Sequence, residues 1–144
     1  MKNERQKLSE ARKSFFMIFR KPEVVASLVL ILAFFLTWFS NPIFSVPAYK
    51  ISRVLKFFSI SQPIFSILTV LTFLIPVGGL FIIMFSIIKK STSTVAMLVG
   101  MLPIIIIVVL FFNNRFILKQ LGPGSILAVI AAIVLLITGA IKQR

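Results

Sequence analysis

The sequence contains neither cysteine nor histidine, and its only acidic residues are Glu4, Glu10 and Glu23. Without these two residue types the chain has no disulfide, no thiolate nucleophile and neither the commonest metal ligand nor the commonest general base. Three glutamates, all near the N-terminal end, also leave almost no room for a paired-carboxylate site. We therefore expect no catalytic site, no metal site and no cofactor.

Charged residues are scarce as a whole, because they make up 13% of the 144 residues while hydrophobic residues make up 59%. This composition lies far from that of soluble domains, in which about a quarter of the residues are charged, and it predicts an integral membrane protein. The net charge of +13 raises the alternative of nucleic-acid binding, which needs a soluble body that displays a basic face. Here the basic residues lie between and outside apolar runs. We expect anionic lipid headgroups as their partners, and no nucleic acid.

Residues 1–21 carry seven Lys and Arg residues around apolar residues at a spacing of three to four. This pattern predicts a basic amphipathic helix that lies on the membrane surface. Two interpretations stay open at this point. The segment either senses lipid or docks a cytoplasmic partner, or it is only the positive flank that sets the topology of the next helix.

Residues 22–144 contain four apolar runs and predict a single all-α domain. The expected transmembrane helices cover about 23–40, 64–88, 95–112 and 125–141, arranged as an up-down-up-down bundle. The first run has a positive flank, as a signal peptide does. It is longer than a usual signal-peptide core and ends in Trp38 and Phe39 instead of a small-residue cleavage site, so we interpret it as an uncleaved helix with Trp38 at its far membrane interface.

The basic residues also predict the orientation of these helices. Seven precede the first run, two lie between the second and third, and two follow the fourth, which places eleven on one side and five on the other. We expect both termini to be cytoplasmic and the membrane to be a bacterial inner membrane.

The connector between the first and second runs predicts a short interfacial helix. Ile51, Val54, Leu55 and Phe58 form one face, whereas the basic residues occupy the other. Together with the N-terminal segment, this helix supplies the predicted contacts with anionic lipids, which are Arg12, Lys13, Arg20, Lys21, Lys50, Arg53 and Lys56.

Each predicted span has a stripe of small residues at helical spacing. Such stripes let membrane helices approach closely, because lipid tails are as apolar as leucine and provide no hydrophobic drive for association. The stripe of the fourth span either faces the other helices of the bundle or contacts another protein; its residues are Gly124, Ala128, Ala132, Gly139 and Ala140.

Two spans contain an internal proline, which removes a backbone hydrogen bond and predicts a kink. Broken helices near the membrane centre are a pointer to substrate sites in transporters. The residues of this candidate solute path are Thr72, Pro76, Gly78, Gly79, Gly100 and Pro103. Ion or proton coupling normally needs ionisable groups inside the spans, and the sequence places none there, since Glu23 lies at the cytoplasmic mouth of the first span.

These observations favour a non-catalytic polytopic protein that serves as an accessory or scaffolding subunit beside other integral membrane subunits. Two alternatives remain at this stage. One is a small transporter or channel that uses the proline-containing helices, and the other is a lipid- or pigment-associated protein whose sixteen phenylalanines line the bound molecule.

Overall fold

The computed structural model describes residues 2–40, 42–43, 45–57, 60–113 and 115–144, and 83% of these residues are helical, which places the chain in the all-α class. Three helices are long and apolar enough to cross a membrane, as the composition predicts. The α-helices of the described ranges are α1 (Lys2–Ile18), α2 (Pro22–Phe35), α3 (Ile51–Phe57), α4 (Gln62–Ile87), α5 (Ser93–Asn113) and α6 (Pro123–Gln143), and the three candidate spans are α4, α5 and α6.

The first predicted span begins where expected but ends five residues early, at Phe35 instead of Ser40. Pro22 occupies the first helical turn of α2, where its missing N–H costs no hydrogen bond. At the other end, Leu36 is extended and Thr37–Ser40 forms strand β1. Sequence reasoning assigned these residues to a helix, although threonine and aromatic side chains favour strands.

Strand β1 pairs with β2 (Ser45–Pro47) in an antiparallel two-stranded sheet, with Phe39 opposite Val46. Trp38 was expected at the membrane interface, but its side chain is completely buried within the protein and its Nε1 donates a hydrogen bond to the carbonyl of Ala33 at 2.7 Å. The backbone N–H of Gly122 donates to the carbonyl of Trp38 at 2.6 Å. The sheet therefore connects the end of α2 to the start of α6.

The predicted short helix is α3, preceded by a 3₁₀ turn at Ala48–Lys50. Ile51, Val54 and Leu55 are buried as one face, while the basic residues on the other face are exposed. Phe58, which was assigned to the same apolar face, lies outside the described residues. Since α3 contacts α4 and β2, its apolar face packs against the protein and not against lipid.

Four helices pack together, because α6 contacts α2 and α5, and α4 contacts the same two helices. Large side chains fill the centre of this packing, among them the fully buried Leu30, Leu68, Ile106 and Leu135. The outward faces also carry large apolar side chains, which are exposed. In a membrane, close van der Waals packing between such helices replaces the hydrophobic effect as the source of their association.

The two internal prolines do not divide their helices, since α4 and α5 continue through Pro76 and Pro103. The turn after α4 places Lys89 in the left-handed region, with φ of 58°. A 3₁₀ helix at Arg115–Gln120 follows α5. In the first turn of α6, Ser125 donates its hydroxyl to the carbonyl of Gly122 at 2.7 Å.

Candidate functional site at the charged end of the packed helices

A buried ion pair joins the start of α2 to the end of α6. Lys142 Nζ binds Glu23 Oε1, and the glutamate side chain is only 2% exposed whereas the lysine is 43% exposed. Each residue also lies at the end of its helix where the helix dipole favours its charge: Glu23 in the first turn, Lys142 in the last. A buried carboxylate is strongly unfavourable unless it is paired, so this contact fixes the two helix ends against each other.

Hydroxyl groups from α2, from α5 and from Thr92 just before α5 extend the ion pair into a polar cluster, which we call the charged end: Glu23, Ser27, Thr92, Ser93 and Lys142. Thr92 Oγ1 lies 3.4 Å from the ammonium of Lys142. Ser93 donates to the carbonyl of Gly139 on α6 at 2.7 Å, and Ser27 donates to the carbonyl of Glu23 at 2.6 Å. The start of α5 is thus held to the end of α6 by one side-chain-to-backbone contact, from Ser93, and one side-chain contact, between Thr92 and Lys142.

Close backbone approach accompanies these polar contacts along α5 and α6. A Cβ atom at Gly139 would lie 2.6 Å from Met97 Cγ and 3.0 Å from the carbonyl oxygen of Ser93. A Cβ atom at Gly100 would lie 2.9 Å from the carbonyl oxygen of Ala132. A Cβ atom at Gly100 therefore requires the backbone of α6 to move, whereas one at Gly139 requires at least the Met97 side chain to shift.

The small-residue stripe of the fourth predicted span lies mostly between helices of the same chain. Gly124, Ala128, Ala132 and Gly139 are buried, whereas Ala140 is exposed. The first four positions are therefore occupied by contacts within the chain. Ala140 is the member of the stripe that faces outward.

The residues of the candidate solute path also lie in helix contacts. Thr72 is buried, and its hydroxyl donates to the carbonyl of Leu68 in its own helix at 2.7 Å. A Cβ atom at Gly79 would lie 3.3 Å from the carbonyl oxygen of Ser27, and one at Gly78 would lie 2.4 Å from a methyl carbon of Val99. Gly100 and Pro103 are buried, and Pro76 is half-buried. Gly78 is therefore in close contact with α5 and Gly79 with α2, and neither glycine lines an open passage.

The predicted lipid-binding cations fall into two separate groups, one near α1 and one near α3. All are exposed except Lys21, which is half-buried. A surface cavity of about 600 Å³ is lined by Arg12, Lys13 and Arg20 together with Phe16 and Phe19. Near α3, the Lys50 ammonium lies 5.5 Å from the centre of the Tyr49 ring. The lysine and arginine side chains of both groups are accessible to an anionic surface.

Sequence reasoning treated Glu23 and Lys142 as flanks of two different spans and missed their contact. The sequence did contain a pattern that points to this contact, because Glu23 lies at the start of the first apolar run and Lys142 at the end of the last. If both ends lie on the same side of the membrane, as the charge count predicts, these two residues are at the same depth. Whether their helices are neighbours was not visible in the sequence.

No family model, curated protein or solved structure matches this chain. The function is therefore argued from the charged end, the helix contacts and the exposed surfaces. Within the described ranges, no three residues of the types His, Cys, Asp and Glu lie together as a metal-binding group.

Proposed function

We propose that the chain crosses the membrane four times, through α2 as well as through the three long helices, and that both termini lie in the cytoplasm. The ion pair supports this count, because Glu23 and Lys142 are in contact and an even number of crossings must separate them. The three long helices α4, α5 and α6 account for an odd number. A crossing by α2 makes the number even and gives an up-down-up-down order.

Single cysteines test this topology directly, since the natural chain has none. Ser9, Ser61 and Ser91 are exposed, and each is replaced by cysteine in turn. In intact cells, a membrane-impermeant maleimide is expected to label Ser61→Cys and to label the other two only after the membrane is opened. Labelling of Ser91→Cys in intact cells, or of all three positions alike, would contradict the proposed arrangement.

The role we propose is that of a non-catalytic accessory or scaffolding subunit of a larger inner-membrane complex. The observation that carries this proposal is that these polar groups are paired within the chain: the contacts of Ser93 and Lys142 join different helices, and those of Ser27 and Thr72 lie within their own helices. The hydroxyls of Ser27, Thr72 and Ser93 donate to backbone carbonyls, and the buried Glu23 is paired with Lys142. A catalytic hydroxyl would instead need an activating base.

Two exposed surfaces are available for other integral membrane subunits. Residues 3–17 of α1 are exposed, including the rings of Phe15 and Phe16. On α6, Ala140 is exposed beside the buried Gly139, and a small residue there allows the close approach of a foreign helix. We assign Ala140 to the partner contact and the basic residues of α1 to anionic lipid.

The test is purification of the full chain from its native membrane in mild detergent, after cross-linking, with the mass of the particle measured by light scattering. We expect a second integral membrane protein in fixed stoichiometry. The variant Ala140→Trp is expected to lose that partner while its own melting temperature is unchanged, and Leu98→Trp, on the exposed face of α5, serves as the control. Recovery of a lone monomer before and after cross-linking would refute the accessory role.

A further inference from the structure

A groove runs along the outer surface between α2 and α6. Its first part, about 350 Å³, lies at the charged end and is lined by Lys21, Pro22, Glu23, Thr138, Ile141 and Lys142. Its second part, about 280 Å³, is lined by Pro22, Val25, Ala26, Val29, Ile130, Ala131 and Val134. Pro22 belongs to both parts. The walls of both parts are apolar, and the first part, which we call the charged section, also has Lys21, Glu23 and Lys142 among its lining residues. We call the second part the apolar section.

The charged section retains capacity to bind an anion. The ammonium of Lys142 has three hydrogen-bond donors, and its contacts within the chain are to Glu23 and Thr92. Its side chain remains 43% exposed. Lys21 lines the same section, so two lysines and one glutamate leave it with one net positive charge.

The apolar section is suited to a hydrocarbon chain and to nothing polar. Its lining consists of proline, valine, alanine and isoleucine side chains, and it follows the direction of two helices that contact each other. An occupant must therefore be anionic at one end and apolar along the rest. A membrane supplies one such molecule in large excess, namely an anionic phospholipid.

We propose that this groove binds one anionic phospholipid, with its phosphate between Lys21 and Lys142 and one acyl chain along the α2–α6 contact. The site is distinct from the exposed cations of α1 and α3, which face a membrane surface without enclosing a lipid. It rests on the membrane placement of α2 and α6 and is independent of the accessory role. The acyl chain of the bound lipid covers the contact between α2 and α6, and its phosphate lies beside the ion pair of Glu23 and Lys142.

The experiment measures lipids retained by the full-length protein in native mass spectrometry, with phosphatidylglycerol and phosphatidylcholine offered at equal concentrations. We expect one retained phosphatidylglycerol. The variant Lys21→Gln is expected to weaken this binding about tenfold, since it removes a charge-assisted contact. Lys90→Gln makes the same charge change at an exposed position in the turn after α4, outside the groove, and is expected to bind like the natural protein.

The apolar section is tested separately. Val29→Trp is expected to block the acyl chain, whereas Val70→Trp on the exposed face of α4 leaves binding unchanged. Phosphatidylglycerols of decreasing chain length give the same test without any substitution, and retention is expected to fall with length. Inorganic phosphate added in excess is expected to leave the lipid bound.

Three results would overturn the proposal: equal retention of the two lipids, unchanged retention in Lys21→Gln, or retention independent of chain length. Displacement by inorganic phosphate would show that the charged section binds a free anion and not a lipid. The cysteine-labelling and co-purification experiments read out topology and partners separately. Failure of the lipid site is therefore distinguishable from failure of the proposed function.

Discussion

Lys142 at the end of α6 forms an ion pair with the buried carboxylate of Glu23 at the start of α2. Replacement of Lys142 by methionine removes the cation that is hydrogen-bonded to that carboxylate and leaves Lys21 as a weaker countercharge. We expect the free energy of unfolding in detergent to fall by roughly 1–3 kcal/mol, less than for a fully buried pair because Lys142 is partly exposed. Denaturant titration of the variant and the natural protein measures the difference.

A second variant separates the ion pair from other losses at these positions. In Glu23→Gln combined with Lys142→Met, no buried charge remains unpaired, and we expect most of the lost stability to return. If the double variant is as unstable as the sum of the two single variants, the interaction between the residues contributes nothing and this interpretation fails.

The close approach of α5 and α6 at Gly100 gives the second prediction. Gly100→Ala places a methyl group 2.9 Å from the carbonyl oxygen of Ala132, and a backbone atom cannot rotate away as a side chain can. We expect a loss of about 1–3 kcal/mol in stability from this overpacking. Ala140→Leu, at an exposed position of α6, is the control and is expected to change the stability of the isolated chain by less than about 0.5 kcal/mol.

Much of this helix packing could be predicted from the sequence, because apolar runs and small residues at helical spacing have a direct physical meaning in a membrane. The existence of α4, α5 and α6 follows from length and composition alone. The stripe did not reveal what covers it, since a small residue permits close contact with any helix. Burial of Gly124 and exposure of Ala140 depend on which helices are neighbours, and that is a property of the tertiary structure.

The turn after α4 gives the third prediction. Lys89 has a φ of 58°, and the N–H of Lys90 donates to the carbonyl of Phe85 at 2.9 Å, which is the hydrogen-bond pattern of a helix end that favours glycine. We expect Lys89→Gly to raise the free energy of unfolding by roughly 0.5–1 kcal/mol, because it relieves left-handed strain. Lys90→Gly removes the same charge one residue later and is not expected to stabilise. Equal effects of the two variants would assign the change to charge instead of backbone strain.

The burial of Trp38 gives the fourth prediction, which is spectroscopic. It is the only tryptophan in the chain, and its side chain is completely buried. We expect emission that resists quenching by acrylamide from water and also by brominated acyl chains from lipid. Val70→Trp in a Trp38→Phe background places the indole on the exposed face of α4 and is expected to be quenched strongly by brominated lipid. Strong lipid quenching of Trp38 itself would show that the sheet does not enclose it.

The end of α2 shows where sequence reasoning was insufficient. The run from Val24 to Ser40 contains no charged residue and is mostly apolar, and apolarity alone does not distinguish a buried strand from a continued helix. Thr37, Trp38 and Phe39 favour strands, but the helix prediction followed the length of the apolar run instead. The contact of Gly122 with the carbonyl of Trp38 joins parts of the chain more than eighty residues apart, and no local pattern predicts it.

In the proposed four-crossing arrangement, the neighbouring helices α2 and α4 differ enough in length to deform the surrounding bilayer. α2 has 14 residues and α4 has 26, which at 1.5 Å per residue are about 21 Å and about 39 Å long. A hydrocarbon layer of about 30 Å must thin beside α2 and can keep its full depth beside a tilted α4. Each ångström of mismatch costs a fraction of a kcal/mol. In this proposed arrangement, the bilayer is therefore expected to be thinner along the α2 side than along the α4 side.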